Sequence, residues 1–156
     1  MSENFRINKG GLINRNKKVS FKFNGKKYFG YEGDTLASAL IANGVHLVGR
    51  SFKYHRPRGI MTAGSEEPNA IVQVNDKTNR TEPNVRATEV EIYEGLEASS
   101  QNCWPSVNFD IGGINNAISA FLPVGFYYKT FMWPASFWEK YEYFIRHSAG
   151  LGKSPT

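Results

Sequence analysis

Val19, Phe21 and Phe23 alternate with Ser20 and Lys22, the period of two expected of a half-buried strand. Asn24-Gly25 follows, and these two residues tolerate the positive φ angles of a type I′ turn. The return arm over 26–31 points Tyr28 inward, so 19–31 is predicted to be a β-hairpin. Gly33-Asp34-Thr35 ends it. Asp34 is expected to N-cap a helix over 35–43 that places Leu36, Ala39 and Leu40 on one face. Gly44 suits the left-handed position after that helix. A short apolar run covers 45–48. Residues 50–58 read as a loop broken by Pro57, and 70–75 as a strand with Ile71, Val72 and Val74. A turn is expected at 76–79, and the alternation of Val90 and Ile92 predicts a last strand over 87–93. Two strands, a helix and further strands predict an α+β fold: a β-grasp mixed sheet with one packed helix.

The pattern changes after Gly95. Cys103-Trp104-Pro105 and Gly112-Gly113 punctuate the chain, and 115–121 allows one or two helical turns. An aromatic run with Lys129 inside it covers 126–133. A helix is expected over 135–148, with Pro134 near its start. Gly150, Gly152 and Pro155 read as a connection. The expected organisation is a flexible basic arm over 1–18 and a β-grasp domain over 19–95. An aromatic helical docking segment then covers 96–148, and 149–156 reads as a linker toward a further domain.

Composition sharpens this picture. The hydrophobic fraction of 40% is enough for a core and too high for a disordered chain. Of the 22 aromatic residues, 11 lie within 121–144, too dense for an even core. That crowding has two readings, a helical subdomain packed on the sheet and a surface that docks on another domain or subunit. Residues 1–58 carry a net charge of +9 and residues 59–156 a net −4, which suggests a polarised surface facing an anion. No run approaches the length of a membrane span, and the polar, basic start is no secretory signal. A single cysteine, Cys103, excludes an internal disulfide and an all-cysteine metal site in one chain, and fits the reducing cytoplasm.

The 50–58 loop is the most unusual stretch. It holds Arg50, Lys53, Arg56 and Arg58, with His55, Phe52 and Tyr54 between them and no acid. Guanidinium forks grip phosphates bidentately, and the rings can stack on a ligand or on an arginine. The sharp reading is a phosphate-bearing cofactor. The plain reading is a solvated loop, or one paired with Glu66, Glu67 or a partner subunit. Nucleic acid is a third reading, against which the net-acidic second part counts. His46, His55 and His147 have no nearby acid or nucleophile that suggests a triad, Cys103 reads as an inert thiol, and no catalytic residue or metal-ligand spacing is assigned.

Longer blocks carry a resemblance. Gly33-Asp34-Thr35-Leu36-Ala37-Ser38-Ala39-Leu40, the 49–59 stretch Gly-Arg-Ser-Phe-Lys-Tyr-His-Arg-Pro-Arg-Gly, and Gly64-Ser65-Glu66-Glu67-Pro68-Asn69-Ala70 resemble the N-terminal region of the α subunit of heterotetrameric sarcosine oxidase. So do Gly125 through Pro134 and Phe137-Trp138-Glu139. The resemblance spans about 19–151. It implies a ferredoxin-related β-grasp domain, with 149–156 as the linker toward a dinucleotide-binding domain outside this sequence, in a complex that oxidatively demethylates sarcosine. FAD, FMN, NAD and tetrahydrofolate serve that complex, with amine oxidation in the β subunit and FMN between α and β. It also implies that Arg50, Lys53, His55, Arg56 and Arg58 face a flavin phosphate or the subunit interface. The partners so implied are the rest of the α subunit and the β subunit, with no nucleic acid and no membrane. Ferredoxin-like relatives carry cluster cysteines in the loop after the helix, whereas 50–65 has none here, so no iron–sulfur cluster and no cofactor bound by this chain alone are expected. The rival readings are a free-standing β-grasp ligand- or nucleic-acid-binding module, a related amine dehydrogenase domain, and an electron-transfer domain.

Overall fold

A computed structural model describes residues 5–75, 78, 80–119 and 133–149. Strand β1 (Asn14–Phe23) and strand β2 (Lys26–Glu32) form the hairpin, with Phe21 opposite Tyr28. Asn24 and Gly25 have φ of 50° and 76°, as a type I′ turn requires. Helix α1 (Leu36–Ala42) follows. Strands β3 (Gly49–Arg50) and β4 (Pro57–Arg58) make a two-residue ladder at the base of the basic loop. Strands β5 (Ile71–Asn75), β6 (Thr81–Arg86) and β7 (Leu96–Ser100) complete the main sheet. Its order is β2-β1-β7-β5-β6. The first and last strands, β1 and β7, run parallel at its centre, and the other pairs are antiparallel. With α1 packed on this sheet, the arrangement is a β-grasp.

The core lies between α1 and the sheet. Leu36, Ala39 and Leu40 are fully buried against Phe21, Phe23, Val72 and Leu96. Each such large apolar side chain contributes roughly 1.5–3 kcal/mol by leaving water. Gly30 permits the close approach of the layers: a Cβ there would lie 2.5 Å from Ile92 and 3.1 Å from Ala39.

Several expectations need correction. Thr35, not Asp34, caps α1, its hydroxyl accepting from the Ser38 N–H at 3.1 Å. Asp34 is buried and takes a bidentate pair from Arg6 at 3.0 and 2.7 Å. The arm is therefore fastened to the domain at Arg6, and Phe5 meets the His46 ring edge-on at 4.8 Å. Strand β1 also begins at Asn14, inside the stretch expected to be loose. Burial alone would push the Asp34 carboxyl up. Hydrogen bonds from Arg6, the Tyr31 N–H and the Ser38 hydroxyl outweigh it and hold the group below the usual carboxylate range.

The expected strand over 87–93 crosses the start of α1 instead. The Ala87 and Val90 carbonyls accept the N–H groups of Ala37 and Leu36, which have no partner inside the helix. Ile92 alternates because it packs under the helix, not because it lies in the sheet. The polar stretch 81–86 is the edge strand, where Pro83 removes no needed ladder donor. Residues 96–100, expected in the extension, are the central strand.

Beyond the sheet, a 3-10 turn (Ile111–Gly113) leads into α2 (Ile114–Ala117). A second 3-10 turn (Ala135–Phe137) leads into α3 (Trp138–Ala149), close to the expected helix. Most of the aromatic run over 126–133 lies outside the described residues.

Candidate functional site

The basic loop is drawn tight by its own backbone. Ser51 N–H donates to the Arg56 carbonyl and His55 N–H to the Ser51 carbonyl, each at 2.9 Å. The loop then docks on the segment that follows β7. Arg50 donates through Nε and a terminal nitrogen to the Val107 carbonyl at 2.9 and 2.7 Å, and through the other to the His55 carbonyl at 3.1 Å. His55 Nδ1 lies 2.7 Å from Asp110 Oδ2. The second Asp110 oxygen accepts from the N–H groups of Trp104 at 3.0 Å and Gly112 at 3.1 Å. The His55 ring lies where a Cβ on Gly112 would stand, which explains a glycine at that position.

The five candidate residues therefore divide. Arg50 and His55 turn inward and fasten the loop to 107–112. Lys53 and Arg56 flank the Tyr54 ring at 4.9 and 4.8 Å, so that ring stacks on cations of its own loop. Exposed Arg56 also donates to Asn116 Oδ1 at 3.0 Å, and Arg58 donates to Asn69 Oδ1 at 2.9 Å. Arg50 and Arg58, with Arg86, Asn69, Asn84 and Asn102, line an open cleft of about 380 Å³. No carboxylate among the described residues lines it. Three guanidinium groups lining one cleft suit an anionic group by charge, although Arg50 already donates to two backbone carbonyls and Arg86 pairs with Glu89 at 3.4 Å.

Two acids take roles that the sequence does not announce. Asp110, the partner of His55, lies 55 residues away in the chain, with no local signal joining them. Glu67 was considered as a partner of the basic loop. It is instead buried, and its carboxylate accepts from the N–H groups of Met61, Thr62, Asn69 and Ala70 at 2.6–3.1 Å. Burial pushes this carboxyl up, but the four N–H groups outweigh it and hold it at about 2. Cys103 is half-buried. Burial, with the Asp110 charge adding to it, raises its thiol above the ordinary value despite the opposing Arg50. Such a thiol is a poor nucleophile.

With this geometry in view, the comparisons define the class. Residues 16–103 match the family described as 2Fe-2S iron–sulfur cluster binding domain, and the chain belongs to that family. Within it, the chain is similar to sarcosine oxidase subunit alpha of Rhizobium meliloti (strain 1021), 64% identical over 151 residues covering 96% of this chain. The subunit alpha of Corynebacterium sp. (strain U-96) is 39% identical over 92 residues, 58% of this chain. The chain spans 15% of the first relative's length and 10% of the second's. Among solved structures, an L-proline dehydrogenase from P. horikoshii is similar at a TM-score of 0.46 and 28% identity, over 60% of this chain and 17% of that one.

The cluster in the family's description does not fit this chain. A [2Fe–2S] cluster takes four cysteine ligands, or two cysteines and two histidines. The sequence has one cysteine, and among the described residues no three His, Cys, Asp or Glu side chains gather as a metal site. No helix among them is long and apolar enough to cross a membrane.

Proposed function

We propose that this chain is the N-terminal structural and interface domain of a sarcosine-oxidase-type α subunit. The single observation that carries the reading is the 64% identity over 96% of the chain. In it, the chain has no turnover of its own and serves a cytoplasmic, heterotetrameric flavoenzyme that oxidatively demethylates sarcosine. FAD, FMN, NAD and tetrahydrofolate belong to the complete enzyme. The chain's partners are the rest of the α subunit and the β subunit.

The surface supports an interface role. Trp104, Phe109, Ile111 and Ile114 are more than half exposed, and so are Trp133, Tyr143 and Phe144 farther along. Exposed rings in such number suit a face covered by more protein. The same reading assigns Lys53, Arg56 and Arg58 to a flavin phosphate or to acids of the β subunit. Arg50 and His55 support them from below. Nucleic acid has no part in this reading, and the net charge of −4 over residues 59–156 weighs against it.

Co-expression of this chain with the remaining α segment and the β subunit tests the proposal. Co-purification, and sarcosine oxidation only by the assembled enzyme, are expected. Turnover by the isolated chain, or full assembly and activity without it, would refute the reading. Charge reversal of Arg56 and Arg58 to Glu in the assembled enzyme tests the loop. It should lower flavin content or β-subunit retention, and no change in either removes the loop from the interface.

A further inference from the structure

The misfit between the family's cluster and this chain has a local counterpart. In plant-type [2Fe–2S] ferredoxins three ligands follow the spacing C-x4-C-x2-C. The loop between β4 and β5 repeats that spacing without sulfur, as Thr62, Glu67 and Ala70. The three positions also converge in space. Glu67 Oε2 accepts from the Thr62 N–H at 2.6 Å, the Met61 N–H at 2.8 Å and the Thr62 hydroxyl at 3.2 Å. Glu67 Oε1 accepts from the N–H groups of Asn69 at 2.8 Å and Ala70 at 3.1 Å. Glu67 is 1% exposed, and among the described residues no lysine or arginine pairs with its carboxylate. Its charge is met by backbone dipoles and one hydroxyl, as backbone N–H groups meet the sulfurs of a bound cluster.

We propose that the Glu67 carboxylate stands where the family holds its iron–sulfur cluster and performs the cluster's structural task. An internal anion gathers the N–H groups of 61–70 and holds them in one loop. The rest of the loop is consistent with this. The Glu67 carbonyl accepts from Arg86 Nε at 3.2 Å and the Gly64 carbonyl from the Thr88 hydroxyl at 2.7 Å, which tie the loop to β6 and to the 87–93 segment that crosses the start of α1. A cluster loop that lost its thiols alone would leave these buried and part-buried donors without acceptors, which is costly. One carboxylate at the middle ligand position removes that cost without a metal. The inference rests on the loop's geometry and the family match, and stands whether or not the sarcosine-oxidase reading does.

Two experiments on the full 156-residue chain test it. The first is amide hydrogen exchange by NMR. In the wild type, the amides of Met61, Thr62, Asn69 and Ala70 should be protected. In Glu67→Gln they should exchange about a hundredfold faster, while β1 and β7 stay protected. Unprotected wild-type amides, or unchanged exchange in Glu67→Gln, would overturn the proposal. If Glu67→Gln does not fold, the wild-type protection pattern decides alone.

The second probes the spacing. The triple variant Thr62→Cys, Glu67→Cys, Ala70→Cys is titrated with Cd2+ and followed by thiolate charge-transfer absorbance. One tightly held Cd2+ per chain is expected, with recovery of the loop's amide protection. A triple variant that folds without binding Cd2+, or stays unfolded in its presence, would show that these positions do not surround one centre.

Discussion

The 50–58 and 61–70 loops are neighbours of similar length, yet they are held in opposite ways. The first is crowded with cations and is fastened mainly from outside, through Arg50 to Val107 and His55 to Asp110. The second is plain in composition and is fastened from inside by one buried carboxylate. The difference teaches that charge density advertises a surface, whereas the satisfaction of backbone donors leaves almost no trace in composition. The proposed interface therefore falls on the first loop, whereas the second is organised by one internal carboxylate.

Substitution of Glu67 should separate the loops most strongly. Glu67→Gln turns one acceptor into a donor facing N–H groups, and should cost about 3–5 kcal/mol in chemical denaturation. Asp110→Asn should cost less, about 2 kcal/mol, because one oxygen can still serve Trp104 and Gly112. It should release the 50–58 loop, seen as faster amide exchange at Ser51 and His55, and leave 61–70 protected. Loosening of both loops together would contradict their independence. Gly112→Ala forces the His55 ring aside and should cost about 1–2 kcal/mol by the same denaturation assay. Arg56→Ala, on the exposed side, should stay within about 0.5 kcal/mol of wild type while weakening subunit or flavin retention in the assembled enzyme.

Much of the sheet was legible, and the reasons are local. Asn24-Gly25 announces the hairpin, and the spacing of Leu36, Ala39 and Leu40 announces the helix. The central strand was not legible. Leu96–Ser100 offers only Leu96 and Ala98 to the core, and its place depends on parallel pairing with β1. Val90 and Ile92 misled because a strap under a helix can alternate as a strand does. Of the candidate site, Arg50 to Arg58 was conspicuous, but its inward half depends on Asp110 and Val107, distant in sequence. Glu67 reads in the sequence as one of two acids that could pair with the basic loop. Only the spacing of Thr62, Glu67 and Ala70 within the family's ligand pattern marks its place.

Glu67 also gives the 61–70 loop a distinct acid behaviour. Its folded carboxyl lies at about 2, below the ordinary 4.5. The sign follows: its contribution to stability is complete above about 4.5 and is lost only as pH falls from there through about 2. The most direct test of the account is the titration of the Glu67 side-chain carboxyl, followed by its 13C shift in the folded chain. A midpoint near 2, with the amides of 61–70 still protected at pH values where free glutamate is protonated, is the result expected. A midpoint near 4.5 would mean that the carboxylate is not held by those N–H groups, and would contradict the account.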